Sequence, residues 1–202
     1  MKKLKILGRC LSTARSADVR TSVGRRTPTV KIAITAAMTA LVFIITKFIS
    51  VPISVVAGQV FDAGDIMIFI AAWTFGSPVG GFAGGIGSAL SDFLSGGFYA
   101  PFTLIIKGSE GAIAGRVAQR SKWGRKTSWI LAGCVMVGGY FLTNWFLMGL
   151  VFGAGNGPGL GSAVLELPFD ILQVGVGGLI AGPVSQLLKK SIAFDRADTR
   201  VG

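Results

Sequence analysis

Histidine is absent from the 202-residue sequence. The usual metal ligand, general base and near-neutral pH switch are therefore missing together, and no Ser–His or Cys–His pair can be assembled. Cysteine occurs twice, as Cys10 in a basic segment and Cys134 in an apolar run. That is too few for a disulfide framework and has no metal-site spacing. Charged residues make up only 14%, where soluble domains carry about 25%. A nucleotide loop is lacking as well. The glycine-rich stretch 153–161 has no Lys-Ser/Thr pair, which a phosphate-cradling loop needs, so the chain is not expected to hydrolyse ATP. An intramembrane aspartyl protease fits poorly. Asp65 does follow Gly64, but position 62 is Asp where that motif has Gly. No enzyme, metal or cofactor is expected.

What the sequence does have is grease. Apolar residues reach 51% and mean hydropathy is +0.65. Apolar runs cover residues 30–51, 65–75, 79–94, 98–118, 127–152 and 162–188. A hydrocarbon core of ~30 Å takes about 20 helical residues to cross. The second and third runs fall short of that and read as two short helices or one re-entrant hairpin. The pattern predicts an all-α integral membrane protein, a six-transmembrane-helix bundle.

The net charge of +11 raises the question of nucleic acid, and its placement answers it. Eighteen of the 20 basic residues fall in three clusters between the apolar runs: residues 2–31, residues 116–126 and the tail from Lys189. Clusters that alternate with spans follow the positive-inside rule rather than a nucleic-acid footprint. Six spans put all three clusters, and both termini, in the cytoplasm. The outer loops 51–64, 95–99 and 153–161 hold no Lys or Arg. The expected organisation is a disordered basic cytoplasmic tail at 1–29, a membrane domain at 30–190 and a cytoplasmic tail at 191–202, in a multi-pass protein of the plasma membrane. Residues 1–29 lack the continuous apolar core of a secretory signal.

Small residues recur at four-residue spacing, as at Gly80/Gly84 and Gly111/Gly115, and as Ala33/Ala37 and Ala36/Ala40 in the first helix. In lipid such stripes let helices approach closely. Most serve packing inside the bundle. The alanine stripe lies on an otherwise greasy rod and is the candidate docking face for a partner helix.

An ionisable group at the bilayer centre costs roughly 2.5–3.5 kcal/mol or more, so it pairs, faces the interior or serves a site. Lys107, Asn144 and Asp170 each fall about eight residues inside the outer end of their predicted helix, ~12 Å down at 1.5 Å per residue. Gln173 lies a turn deeper, Glu110 shares a face with Lys107, and Asp62, Asp92 and Glu166 sit toward the rim. Tyr99, Tyr140 and Trp145 surround the zone and could stack on a flat ring. The convergence suggests a small-molecule pocket open to the outside. The alternatives are mutual neutralisation that locks the helices, or a Lys/Glu/Asp ion relay in a self-contained secondary transporter or channel. Lys47, near the outer end of the first helix, is expected to snorkel.

The run DAGDIMIFIAAWTFGSPVGGFAGGIGSALSDFLSGGFYAPFTLIIKGSEGAIAG, from Asp62 to Gly115, resembles the substrate-binding S component of energy-coupling-factor (ECF) transporters, riboflavin type. The resemblance rests on Gly64 and Asp65 opening helix two, on Phe75, Gly76, Pro78 and Gly80 between helices two and three, and on Gly84, Gly85, Gly87 and Ser88 with Asp92. Ala100 to Thr103 and Lys107, Gly108, Glu110 and Gly111 complete it. Helices five and six match in pattern. The resemblance implies six helices, an outward-facing site for a water-soluble vitamin or precursor and no catalysis by this subunit. Riboflavin is the first expectation, with hydroxymethylpyrimidine or a pyridoxine-like compound next. It also implies a membrane coupling subunit that docks on the alanine stripe, and two cytoplasmic ATPase subunits.

Overall fold

The computed structural model describes residues 27–54, 59–120, 124–151 and 156–198. The tail expected at the N-terminus lies outside them up to residue 26. Six helices are present among the described residues: α1 (Pro28–Phe48), α2 (Gly64–Phe75), α3 (Ser77–Phe93), α4 (Ala100–Arg120), α5 (Gly124–Val151) and α6 (Asn156–Asp198). Three of them, α1, α5 and α6, are long and apolar enough to cross a membrane.

Pro28 starts α1 at a position where its missing N–H is no loss. Beyond α1 the chain does something the apolar pattern did not signal. Residues expected as plain loop form an antiparallel hairpin, β1 (Ser50–Ser54) and β2 (Gln59–Asp62), with Ser50 opposite Asp62 and Val51 opposite Phe61. The register slips between Pro52 and Ser54. Pro52 has no N–H to give a ladder, and an irregularity is where a strand tolerates it.

The short run at 65–75 is a helix of 12 residues, ~18 Å long. It is apolar on every side, and such a helix belongs in the middle. Ile68, Phe69, Ala71 and Ala72 are fully enclosed, with α1, α3, α4 and α6 around them. A single residue, Gly76, joins α2 to α3 as two separate helices; its φ of 100° is open to glycine and strained for other residues. Helix α3 then lies backbone to backbone on α4. A side chain at Gly84 would meet the Lys107 carbonyl at 2.8 Å, and one at Gly111 would strike the Gly80 carbonyl.

Helix α6 is longer than the apolar run implied. The stretch from 156 to 161, expected as a turn, is already helical, and the helix continues to Asp198 with Pro168 and Pro183 inside it.

The solvation pattern is that of a membrane protein. Phe82, Ile86, Phe93, Ile105, Leu179 and Leu187 face outward, while Asp65, Lys107, Glu110, Asn144 and Asp170 are enclosed. Water would favour the reverse, whereas hydrocarbon demands that polar groups find one another inside.

Candidate functional site

Five helices and the hairpin bring polar side chains together at one end of the bundle. Lys107 points from α4 into the core, where its Nζ donates to Asp65 Oδ1 at the first turn of α2. Glu110 Oε2, one helical turn along α4, stands 3.7 Å from the same ammonium. The Tyr140 ring lies 5.6 Å beneath it, within cation–π range. The Tyr140 hydroxyl donates to Thr103 Oγ1 at 3.2 Å, and Thr103 donates to Asp92 Oδ2.

A second chain crosses from the α3–α4 loop. Tyr99 donates to Asn144 Oδ1 at 2.7 Å, and Asn144 Nδ2 donates to Glu166 Oε2. It joins the start of α4 to α5 and α6. On α6, Glu166, Asp170, Gln173 and Gly177 follow each other at helical spacing and are all buried. Gln173 clasps the hairpin: its Oε1 accepts from the Asp62 amide at 3.1 Å and its Nε2 donates to Asp62 Oδ2 at 3.4 Å. Asp62 Oδ1 in turn accepts from the Gly64 amide at 2.6 Å, which ties the hairpin to the start of α2. Burial raises the Asp62 carboxyl from 3.8 to about 6, with Lys107 opposing the rise. Asp170 is 4% exposed. Its carboxylate has no hydrogen bond or ion pair among the described residues, although the charge of Lys107 reaches it.

The chain as a whole matches the family model described as "ECF-type riboflavin transporter, S component" over residues 26–190. It belongs to that family. The match spans the hairpin, every residue of the polar cluster and all six helices except the last turns of α6. Among curated relatives, an uncharacterised protein of Pyrococcus woesei is 40% identical over 153 residues, covering 75% of this chain and 96% of the relative. The thiamine precursor transporter HmpT of Lactococcus lactis subsp. cremoris (strain MG1363) is 35% identical over 163 residues, covering 80% of this chain and 89% of the relative. A solved S component of a bacterial ECF transporter superposes with a TM-score of 0.61 at 20% identity, covering 82% of this chain and 99% of that one. The fold is thus that of an S component, and family and fold are those of transporter subunits rather than enzymes.

Within this S component the expected site residues divide. Tyr99, Asn144 and Glu166 are joined, and Asp170 and Gln173 lie on the same buried face of α6. Three expectations need correcting. Lys107 is not left open beside Asn144 and Asp170; it is closed onto Asp65. Glu166 is not a rim residue but 5% exposed and held by Asn144, because α6 starts by Asn156 and carries Glu166 into its third turn. The Trp145 ring packs on its own helix, edge-on to Phe141 and stacked on Phe146. Lys47 does more than snorkel, since its Nζ donates to Ser95 Oγ at 2.7 Å. Asp65 and Thr103 were missed as members of the cluster. Asp65 carried a signal: an acid opening a wholly apolar helix needs a cation.

Proposed function

We propose that this S component captures a water-soluble vitamin or vitamin precursor at the outer face of the plasma membrane and delivers it inward with a membrane coupling subunit and two cytoplasmic ATPase subunits. The observation that carries the reading is Asp170. It is a buried carboxylate without a hydrogen bond or ion pair among the described residues, flanked along α6 by the Glu166–Asn144–Tyr99 chain and by the Gln173 clasp. Burying a polar group without a partner is costly, and a bound ligand supplies one. The binding residues are Tyr99, Asn144, Glu166, Asp170 and Asp92, with Lys107, Tyr140 and Gln173 holding the surrounding shell and Trp145 at its edge. All six helices cross the bilayer in this reading, with the hairpin at their outer end. The basic residues at the far end, Arg116, Arg120, Arg125 and Lys126 among them, mark the cytoplasmic side.

Ala33, Ala36, Ala37 and Ala40 are all exposed on α1, which supports their use as the docking stripe for the coupling subunit. The cargo is left between two names, riboflavin from the family model and a thiamine precursor from the relative. A relay of ions through Lys107 is not favoured, because its ammonium is closed between Asp65 and Glu110. The deciding experiment is purification in mild detergent without added ligand, mass spectrometry of the small molecules that come with the protein, and thermal stabilisation by a vitamin panel. A stoichiometric vitamin or a stabilising one is the expected result. A folded, empty protein that no vitamin stabilises, yet that transports in liposomes without ATPases, would overturn the reading.

A further inference from the structure

The end of the bundle away from the polar cluster carries charge that the vitamin site does not use. Helix α5 stands between α4 and α6 there. It meets α4 so closely that a side chain at Gly124 would strike the Ala118 carbonyl. Against α6, Gly133 lies beside Val174, the Trp129 indole donates to the Val174 carbonyl at 2.8 Å, and Arg125 donates to the Gly182 carbonyl at 3.4 Å. This antiparallel ladder sets the last turns of α4, the first turn of α5 and the end of α6 side by side. Lys190 follows Gly182 by eight residues, ~12 Å further along α6. Arg116, Arg120, Arg125, Lys126 and Lys190 are all exposed, and none of them forms an ion pair among the described residues. One turn toward the middle of the bundle the same faces turn to hydrocarbon. Ile130 lies four residues beyond Lys126 and is 64% exposed; Leu187 lies three before Lys190 and is 65% exposed. At these spacings each pair shares a helix face.

We infer that this collar is a binding site for an anionic phospholipid of the cytoplasmic leaflet. The lipid phosphate sits among the arginine and lysine heads, and the acyl chains lie along Ile130 and Leu187. The inference rests on the membrane placement proposed above. A phosphate diester keeps its negative charge near neutral pH, and the guanidinium fork matches its oxygens. Basic pockets between transmembrane helices on the cytoplasmic side take such headgroups. A nucleic acid or a free anion would engage the charges alone, whereas a lipid meets both the cations and the grease one turn away. The collar is also separate from the alanine stripe, because α1 packs chiefly on α3 and α2. Lipid and coupling subunit can therefore be bound together.

The test titrates the full-length protein, in uncharged detergent at pH 7 and low salt, with phosphatidylglycerol, with phosphatidylcholine of the same acyl chains and with inorganic phosphate. Bound lipid is counted by native mass spectrometry while the thermal midpoint is followed. Phosphatidylglycerol should bind about tenfold more tightly than phosphatidylcholine and raise the midpoint, and high salt should erase the difference. The variant Arg116→Gln/Arg120→Gln/Lys126→Gln keeps the Arg125 bond to α6 and should bind phosphatidylglycerol about tenfold more weakly than the wild type. Lys126→Gln alone should show a smaller loss, about fivefold, and gives the reading if the triple variant does not fold. Equal binding of the two lipids would overturn the inference and leave the vitamin-binding role standing. So would a preference that survives in the folded triple variant, equal stabilisation by inorganic phosphate, or stoichiometric nucleic acid in place of lipid. Reaction of Arg120→Cys, in a Cys10→Ser/Cys134→Ser background, with a membrane-impermeant maleimide outside intact cells would instead overturn the proposed orientation itself.

Discussion

Lys107 on α4 and Asp65 at the start of α2 form an ion pair whose side chains are 2% and 1% exposed. The pair joins the most enclosed helix of the bundle to the helix that begins beside Tyr99. Removing one member of a buried pair strands the other, at a cost of about 3–5 kcal/mol. Lys107→Met is therefore expected to lower the thermal midpoint sharply. The double variant Lys107→Met/Asp65→Asn should be less destabilised than the sum of the two single changes, because the stranded carboxylate is gone. Simple additivity in detergent melts would show that the two are not coupled.

The clasp between Asp62 and Gln173 predicts a mobile hairpin once it is broken. Each hydrogen bond contributes about 0.5–1.5 kcal/mol. Gln173→Leu should raise amide exchange in β2 while leaving α3 and α4 protected. Unchanged exchange across residues 59–62 would mean that the hairpin is held by its backbone pairing alone.

Asp62 also predicts a pH dependence. Its carboxyl is raised in the folded state from 3.8 to about 6, chiefly by burial, so between these values the folded protein holds more proton on this group than the unfolded chain. Stability from Asp62 is full below pH 3.8, declines as pH rises through that window and is lost above about 6. Comparing pH–stability profiles isolates this contribution. The wild-type profile minus that of Asp62→Asn should slope downward across the window, and a flat difference would refute the assignment.

Close backbone packing of α3 on α4 separates glycines that resemble each other in sequence. Gly111→Ala puts a methyl group onto the Gly80 carbonyl, whereas Gly138 on α5 has nothing within 4 Å of the same position. Gly111→Ala should destabilise strongly or abolish folded yield. Gly138→Ala should be neutral, or stabilise by up to about 1 kcal/mol through helix propensity. Equal melting temperatures for the two variants would contradict the packing.

On α1, Ala37 is exposed. Ala37→Leu is expected to leave ligand binding intact and to block co-purification of the membrane coupling subunit. Normal assembly of the variant would remove the alanine stripe from the docking face.

Some of this was legible along the chain, because the quantities involved are local. Helix length, hydropathy and the loop positions of Lys and Arg are properties of contiguous residues, so the helical runs follow from the sequence alone and the common side of the basic clusters is proposed from it. The pairing of Lys107 with Glu110 is local as well, being one turn of one helix. The motif stretch from Asp62 to Gly115 carried the family, and the match over residues 26–190 agrees with it.

Only the tertiary structure decided which faces meet. Helical periodicity says that Lys107 points sideways but not toward which helix, and the answer, Asp65, lies 42 residues away. The depth of Glu166 depended on where α6 begins, and glycines in 156–161 gave no sign that the helix starts early. The hairpin was hidden because its pairing joins two short segments that are separate along the chain, with no alternation long enough to announce it. The direction of the hydrogen-bond chains was hidden for the same reason. A list of Tyr, Asn, Thr and Asp does not say which donates to which until helices from distant parts of the chain are packed side by side.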